Sequence, residues 1–190
     1  MQKSQIEKFW LWFQENSFHL QSDKYPNSFL SELDRIIIKW ELSWEVGPGI
    51  NVENSFTISP NGNKSLLDKT KEIISFAPSI LNWEFYYAKQ PKVNWHLAKL
   101  TELNIDIEAT EWEYVLFKYD DEKVEILLKA DSLSGLDNDT TYNTVDLVLA
   151  NLLGEELFLN KIDFIEVVDS FDSDDGTTKL KYLPKHLLTI

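Results

Sequence analysis

The chain has 190 residues, with 32 acidic side chains against 18 basic ones, a formal net charge of −14, and no cysteine. Such a charge repels phosphate backbones and anionic lipid surfaces, so neither nucleic acid nor a membrane is expected as a partner, and the lack of thiols removes disulfides and thiol catalysis. The length allows one substantial core and no Pro/Gly/Ser-rich stretch divides it, so the expectation is a single domain over 1–190.

Ser4-Gln5-Ile6-Glu7 has the form of a capping box and predicts a first helix with Ile6, Phe9, Trp10 and Phe13 on one face. Trp12 falls between the buried and open sides of that helix. Trp10 and Trp12 cannot both enter one apolar stripe, which makes Trp12 a candidate partner-binding residue. Ser22 to Tyr25 form a polar break before Pro26. Asn27 or Ser28 then caps a second helix, with Phe29, Leu33, Ile36, Ile37 and Trp40 at spacings of three and four. This helical segment spans 1–39.

The stretch 40–90 reads as strand, strand, helix, strand. Leu42, Trp44 and Val46 alternate with Ser43 and Glu45, and Phe56 and Ile58 alternate with Ser55, Thr57 and Ser59, the period of half-buried strands. Between them, Gly47-Pro48-Gly49 reads as a loop or bulge, because proline lacks the ladder donor. Leu66, Leu67, Thr70, Ile73, Ile74 and Ala77 recur at helical spacing until Pro78, after which Trp83, Phe85 and Tyr87 restart the alternation. From Gln90 to Asn104 the chain crosses over, with Val93, Leu97, Leu100 and Leu103 spaced for a short helix, and Ile105 and Ile107 for a short strand.

The same order returns over 105–170. Trp112-Glu113 opens it, Tyr114 to Tyr119 alternate, Asp120-Asp121-Glu122 turn the chain, and Val124, Ile126 and Leu128 return. A helix carries Val145, Val148, Leu149, Leu152 and Leu153, with Thr141 as its expected N-cap and Gly154 as its stop. Ile162, Phe164 and Val167 form the closing strand. The fold class is therefore α+β: a mostly antiparallel sheet from two strand-strand-helix-strand units, helices on one face, preceded by two N-terminal helices. An internal duplication follows from that reading.

In Asp169–Gly176, Asp172 and Asp174 alternate like hard-cation ligands, but Gly176 occupies the place of a third ligand and no Glu closes the loop, so a solvated turn is expected. The tail from Leu183 to Ile190 is apolar enough to dock on the body or on another subunit. His19, His96 and His186 are scattered, and no Gly-x-Ser-x-Gly elbow, Walker loop or dinucleotide fingerprint occurs. Carboxylate pairs such as Glu41 with Glu45, or Glu84 with Glu113, would need burial to do acid-base work. The expectation is no enzyme activity, no metal and no cofactor.

Trp44-Glu45-Val46-Gly47-Pro48, Ile58-Ser59-Pro60-Asn61-Gly62, Ala77-Pro78 with Trp83, and Leu152-Leu153-Gly154-Glu155 together resemble a pattern in small bacterial proteins of uncharacterised function, over roughly Trp40 to Val168. The resemblance implies a bacterial cytoplasmic protein and carries no activity or catalytic residue with it. A cytoplasmic location is also expected because the N-terminus shows no basic region leading into an apolar stretch, and no apolar run approaches the ~20 residues that span a bilayer.

Acidity without a catalytic constellation leads to one principal expectation: a non-enzymatic binding protein, an immunity-type or regulatory partner of a cationic protein. The alternative is a small-molecule-binding module that uses an aromatic cleft between the two halves, walled by Trp83, Tyr86, Tyr87, Trp95 and Trp112. The oligomeric state is left open by either reading.

Overall fold

The computed structural model describes residues 2–21, 27–172 and 176–189. The chain is α+β and divides into two compact units, Met1–Lys89 and Gln90–Ile190, each with its own cluster of buried apolar side chains.

In the first unit, α1 (Lys3–Asn16) and α2 (Asn27–Ile38) precede β1 (Ser43–Pro48), β2 (Asn54–Ser59), α3 (Leu67–Ser75) and β3 (Trp83–Tyr86). Helix α1 starts two residues earlier than the capping pattern implies: Gln2, not Ser4, is the N-cap, and the Gln5 side chain accepts from the Gln2 N–H at 3.2 Å. Ile6, Phe9, Trp10 and Phe13 are buried, as their spacing predicts. The Trp10 indole N–H donates to the Ile73 carbonyl at 2.8 Å, tying α1 to the last turn of α3. The polar break at 22–26 lies outside the described residues.

Strand β2 is central, antiparallel to β1 and parallel to β3. Gly47 and Pro48 continue the ladder of β1, where a loop was expected, because the edge position of β1 leaves proline's missing N–H without consequence. The reversal comes at Gly49, whose N–H donates to the Glu53 carbonyl at 3.2 Å. A β-carbon there would lie 2.4 Å from the Val52 carbonyl oxygen, so only glycine fits.

The second unit begins with β4 (Leu97–Leu100) and β5 (Ile105–Glu108), an antiparallel pair. The helix expected at 93–103 is thus a strand. Its apolar spacing is not a buried face: Val93 is 99% exposed and Leu97 and Leu103 are about half exposed, while Ala98 packs opposite Ile107. Then follow β6 (Glu113–Lys118), β7 (Val124–Lys129), α4 (Asn138–Leu153), α5 (Glu155–Lys161), β8 (Ile162–Val167), the short β9 (Thr178–Lys179) and α6 (Leu183–Leu187). The N-cap of α4 is Asp137, not Thr141: its carboxylate accepts from the Thr140 N–H at 2.9 Å. Gly154 ends α4 at φ 79°, in the region that favours glycine. Leu183 and Leu187 are buried in this unit's own core, so the tail docks on the body.

The sheets are mixed, and this corrects the mostly antiparallel expectation. Strand order is β1-β2-β3 in one sheet, β4-β5 in a second and β8-β7-β6-β9 in a third, with β2–β3 and β7–β8 parallel. The reason is topological. A hairpin can only be antiparallel, but a strand that returns across a helix lies parallel to the one before it. Both units follow the same path, and each keeps its own sheet.

Candidate functional site

Charge separates with the units. Met1–Lys89 carries nine basic and eleven acidic residues, net −2, whereas Gln90–Ile190 carries nine and 21, net −12. Nearly all of the net negative charge belongs to the second unit.

That unit also holds a hollow of about 220 Å³ between α4, α5 and β8. Tyr142 and Asp146 stand four residues apart on α4 and so share a face; Phe158 and Phe164 complete the aromatic walls. Tyr142 is 39% and Phe164 53% exposed, so both rings are open to a visitor. Although Asp146 lies at the surface, its neighbours displace part of the water around the carboxyl, and this desolvation holds its pKa above the ordinary aspartate value. No hydrogen bond or ion pair reaches Asp146 among the described residues. The other carboxylate lining the hollow, Asp163, is taken by the Lys123 ammonium at 2.7 Å.

The hollow exists because β8 is bulged. Val124 pairs with Ile162 and Glu125 with Phe164, so Asp163 is an extra residue against β7. The phase of the strand flips at that point. Ile162, Ile165 and Val167 pack on the core, and Phe164, which simple alternation aligns with Ile162, is turned outward. Aromatic faces around an unpaired carboxylate attract ammonium and guanidinium groups, at about 0.5–1 kcal/mol per exposed ring contact and about 2 when desolvated.

The aromatic residues nominated from sequence do not form one wall. Trp83 is buried in the core of the first unit, against Phe13 and Phe85, and Trp112 is buried in the core of the second with its indole N–H on Ser132 Oγ at 2.8 Å. Neither faces an open cleft. Tyr86 is half-buried and donates to the Glu84 carboxylate at 2.6 Å. Tyr87 is half-buried with the Lys71 ammonium 5.1 Å from its ring centre. Trp95 is half-buried and packs on the second core. Trp12 is half-buried, stacked on Phe29 at 5.2 Å, and lines a groove in the first unit.

Glu84 is a structural clamp. Its carboxylate accepts from the Ile50 and Asn51 backbone N–H groups at 2.6 and 2.9 Å, from the Asn51 side chain at 2.8 Å, and from Tyr86. Led by the Tyr86 bond, these donors hold its pKa down to about 2. A carboxylate so satisfied has little basicity left for proton transfer. His96 faces Glu108 at 3.0 Å, with Thr110 also on that carboxylate, and His186 Nδ1 lies 2.6 Å from the Tyr114 hydroxyl. The described residues contain no group of three or more His, Asp or Glu side chains suited to a metal ion, and Asp174 of the Asp-rich turn lies outside them. Among the described residues, no helix is long and apolar enough to cross a membrane.

No protein-family model matches the chain, and no curated protein or solved structure is detectably similar to it.

Proposed function

We propose that the protein is a non-enzymatic binding protein whose second unit engages a cationic segment of a partner protein. The observation that carries this reading is the hollow around Asp146: an unpaired, partly desolvated carboxylate among exposed aromatic rings, on the unit that holds a charge of −12. Long-range attraction by that unit brings a basic partner in, and the hollow receives one lysine or arginine side chain by ion pairing and ring contact. An immunity-type or regulatory role is the biological setting that such recognition fits.

The test is calorimetric titration with a lysine-rich peptide in low-salt and high-salt buffer, using the full chain and Asp146→Asn. Binding at low salt that falls with salt, and that Asp146→Asn weakens about tenfold, supports the reading, since hydrogen bonds to charged groups contribute about 1.5–3 kcal/mol. Binding that ignores the substitution removes the hollow from the account. No binding at low salt removes the cationic partner as well.

A further inference from the structure

The first unit presents the opposite chemistry. Between α1, the end of α2 and α3 runs a groove of about 550 Å³. Phe9, Trp12, Ile36 and Trp40 give it an apolar floor, and Lys8, Arg35, Lys39 and Lys69 surround that floor with positive charge. Among the described residues one carboxylate, Glu32, lines the groove, and Arg35 already holds it through two bonds of 2.9 and 2.7 Å. Four cations against one anion give the described lining a charge of +3, in a chain whose net charge is −14.

The three lysines lack carboxylate partners among the described residues. Lys69 is half-buried and its ammonium donates to the Trp40 carbonyl at 2.6 Å, which leaves two of its N–H groups for something else. Cations near the C-terminus of α2 also complement its dipole, and this structural benefit accounts for Lys39 and for part of Lys69. It does not account for Lys8, which projects from the facing helix into the same space. Lysine stems can lie along aromatic rings while their heads reach water, so the groove offers both a flat apolar bed and a ring of donors.

We infer that this groove binds a small amphiphilic anion, with its apolar body on Trp12 and Ile36, over the edges of the buried Phe9 and Trp40 rings, and its carboxylate or phosphate head among Lys8, Lys39 and Lys69. The volume falls within the ~300–1,000 Å³ of ligand-binding cavities, and side chains from three helices line it. Trp12 thereby gains a role: its ring, stacked on Phe29, forms a fixed side of the bed. The site is independent of the cation hollow, which belongs to the other unit.

Decanoate, decanol and decylamine, titrated into the full chain and followed by Trp emission and melting temperature, test the inference. Decanoate is expected to saturate, to raise the melting temperature, and to bind about tenfold or more tightly than decanol, with decylamine weaker still. Lys8→Ala combined with Lys39→Ala is expected to abolish the preference for decanoate while lowering the melting temperature of the free protein only slightly, since both side chains are exposed and the dipole contribution of Lys39 is small. Asp146→Asn leaves decanoate binding unchanged, which separates failure of this site from failure of the other. Equal affinity for decanoate and decanol overturns the inference, as does an intact preference in the double lysine variant. Saturable binding of an acidic amphipathic peptide, through the same lysines and without decanoate binding, overturns it in favour of a protein ligand.

Discussion

The two units follow the same path, a hairpin, a helical crossover and a third strand parallel to the second, yet they differ where the third strand is laid down. In the first unit β3 meets β2 in unbroken register, Asn54 to Trp83 through Thr57 to Tyr86, and Trp83 is drawn into the core. In the second, the bulge at Asp163 breaks the register of β8 and sends Phe164 out. One extra residue thus moves Phe164 from a core position to the open side of the hollow. The central strands differ as well. Every residue from Ser55 to Ser59 on β2 is buried, whereas β7 alternates between buried and half-buried. A common topology sets where side chains stand, and local register and charge decide what they can bind.

The largest expected effect tests whether the cores are separate. Phe13 is fully buried among Phe9, Trp10, Phe56, Trp83 and Phe85, so Phe13→Ala is expected to cost about 3–5 kcal/mol. Leu149→Ala in the second core is expected to cost about 2–5 kcal/mol. Five of the seven Trp residues lie in Met1–Lys89, so urea unfolding read by Trp emission reports mainly on that unit, and far-UV dichroism on both. Phe13→Ala should move the emission transition further than the dichroism transition. Coincident transitions in both variants would merge the cores into one cooperative block and break the contrast.

Next come the hairpin turns, which carry opposite signs. Gly49→Ala pushes a methyl into the Val52 carbonyl and is expected to cost about 1–3 kcal/mol. In the other hairpin Glu122 holds a φ of 62°, where glycine is at ease, so Glu122→Gly is expected to change stability by less than about 1 kcal/mol, in the stabilising direction. Melting curves of the two variants measure both. A loss in each would mean that the Glu122 contact with Lys161, at 3.2 Å, outweighs backbone strain.

A smaller effect concerns pH, and it belongs to the first unit. With the Glu84 pKa held at about 2, its contribution is fully present above the unfolded value near 4.5 and is lost as pH falls through about 2. Tyr86 has the mirror behaviour. Burial, and then its bond to Glu84, raises the phenol to about 12, so stability is present below its ordinary value near 10 and is lost as pH rises through about 12. Glu84→Gln should flatten the acid limb of a stability profile between these lower bounds while leaving the turn at Gly49 less well held. An unchanged acid limb would show that other carboxylates dominate it.

How much of this was legible in the chain follows the same division. Period-two alternation marked β1, β2, β3, β6 and β7, and helical spacing marked α1 through α4, because those elements bury one face against a local neighbour. Alternation is blind to direction, so the parallel pairing of β3 and β8 was not readable. At 93–103 the apolar residues fit a helix by spacing, but backbone pairing of β4 with β5 wins, with Ala98 and Ile107 buried and Leu100 and Ile105 half-buried against the core. Trp83 and Trp112 were nominated as cleft walls, although Trp83 is in phase with buried Phe56 across the ladder and Trp112 immediately precedes β6. The hollow itself had one usable signal, Tyr142 and Asp146 at helical spacing beside an apolar stripe. Its other wall depends on a bulge, and a bulge is a property of two strands at once, which a single strand's pattern does not contain.

The smallest expected effect sharpens the contrast in the acidic unit. Lys123 bonds Asp163 at 2.7 Å on the rim of the hollow, and Asp163 in return raises the lysine's pKa. Both groups are open to solvent, so the pair contributes little to stability, and Lys123→Gln is expected to leave the melting temperature unchanged. What it changes is charge: a cation leaves the rim and a second carboxylate becomes available beside Asp146. Affinity for a lysine-rich peptide should therefore rise, by less than the roughly tenfold loss expected for Asp146→Asn, and the gain should shrink with added salt. Weaker binding in Lys123→Gln would mean that Asp163 must be held in place for the hollow to keep its shape, making β8 the element on which recognition depends.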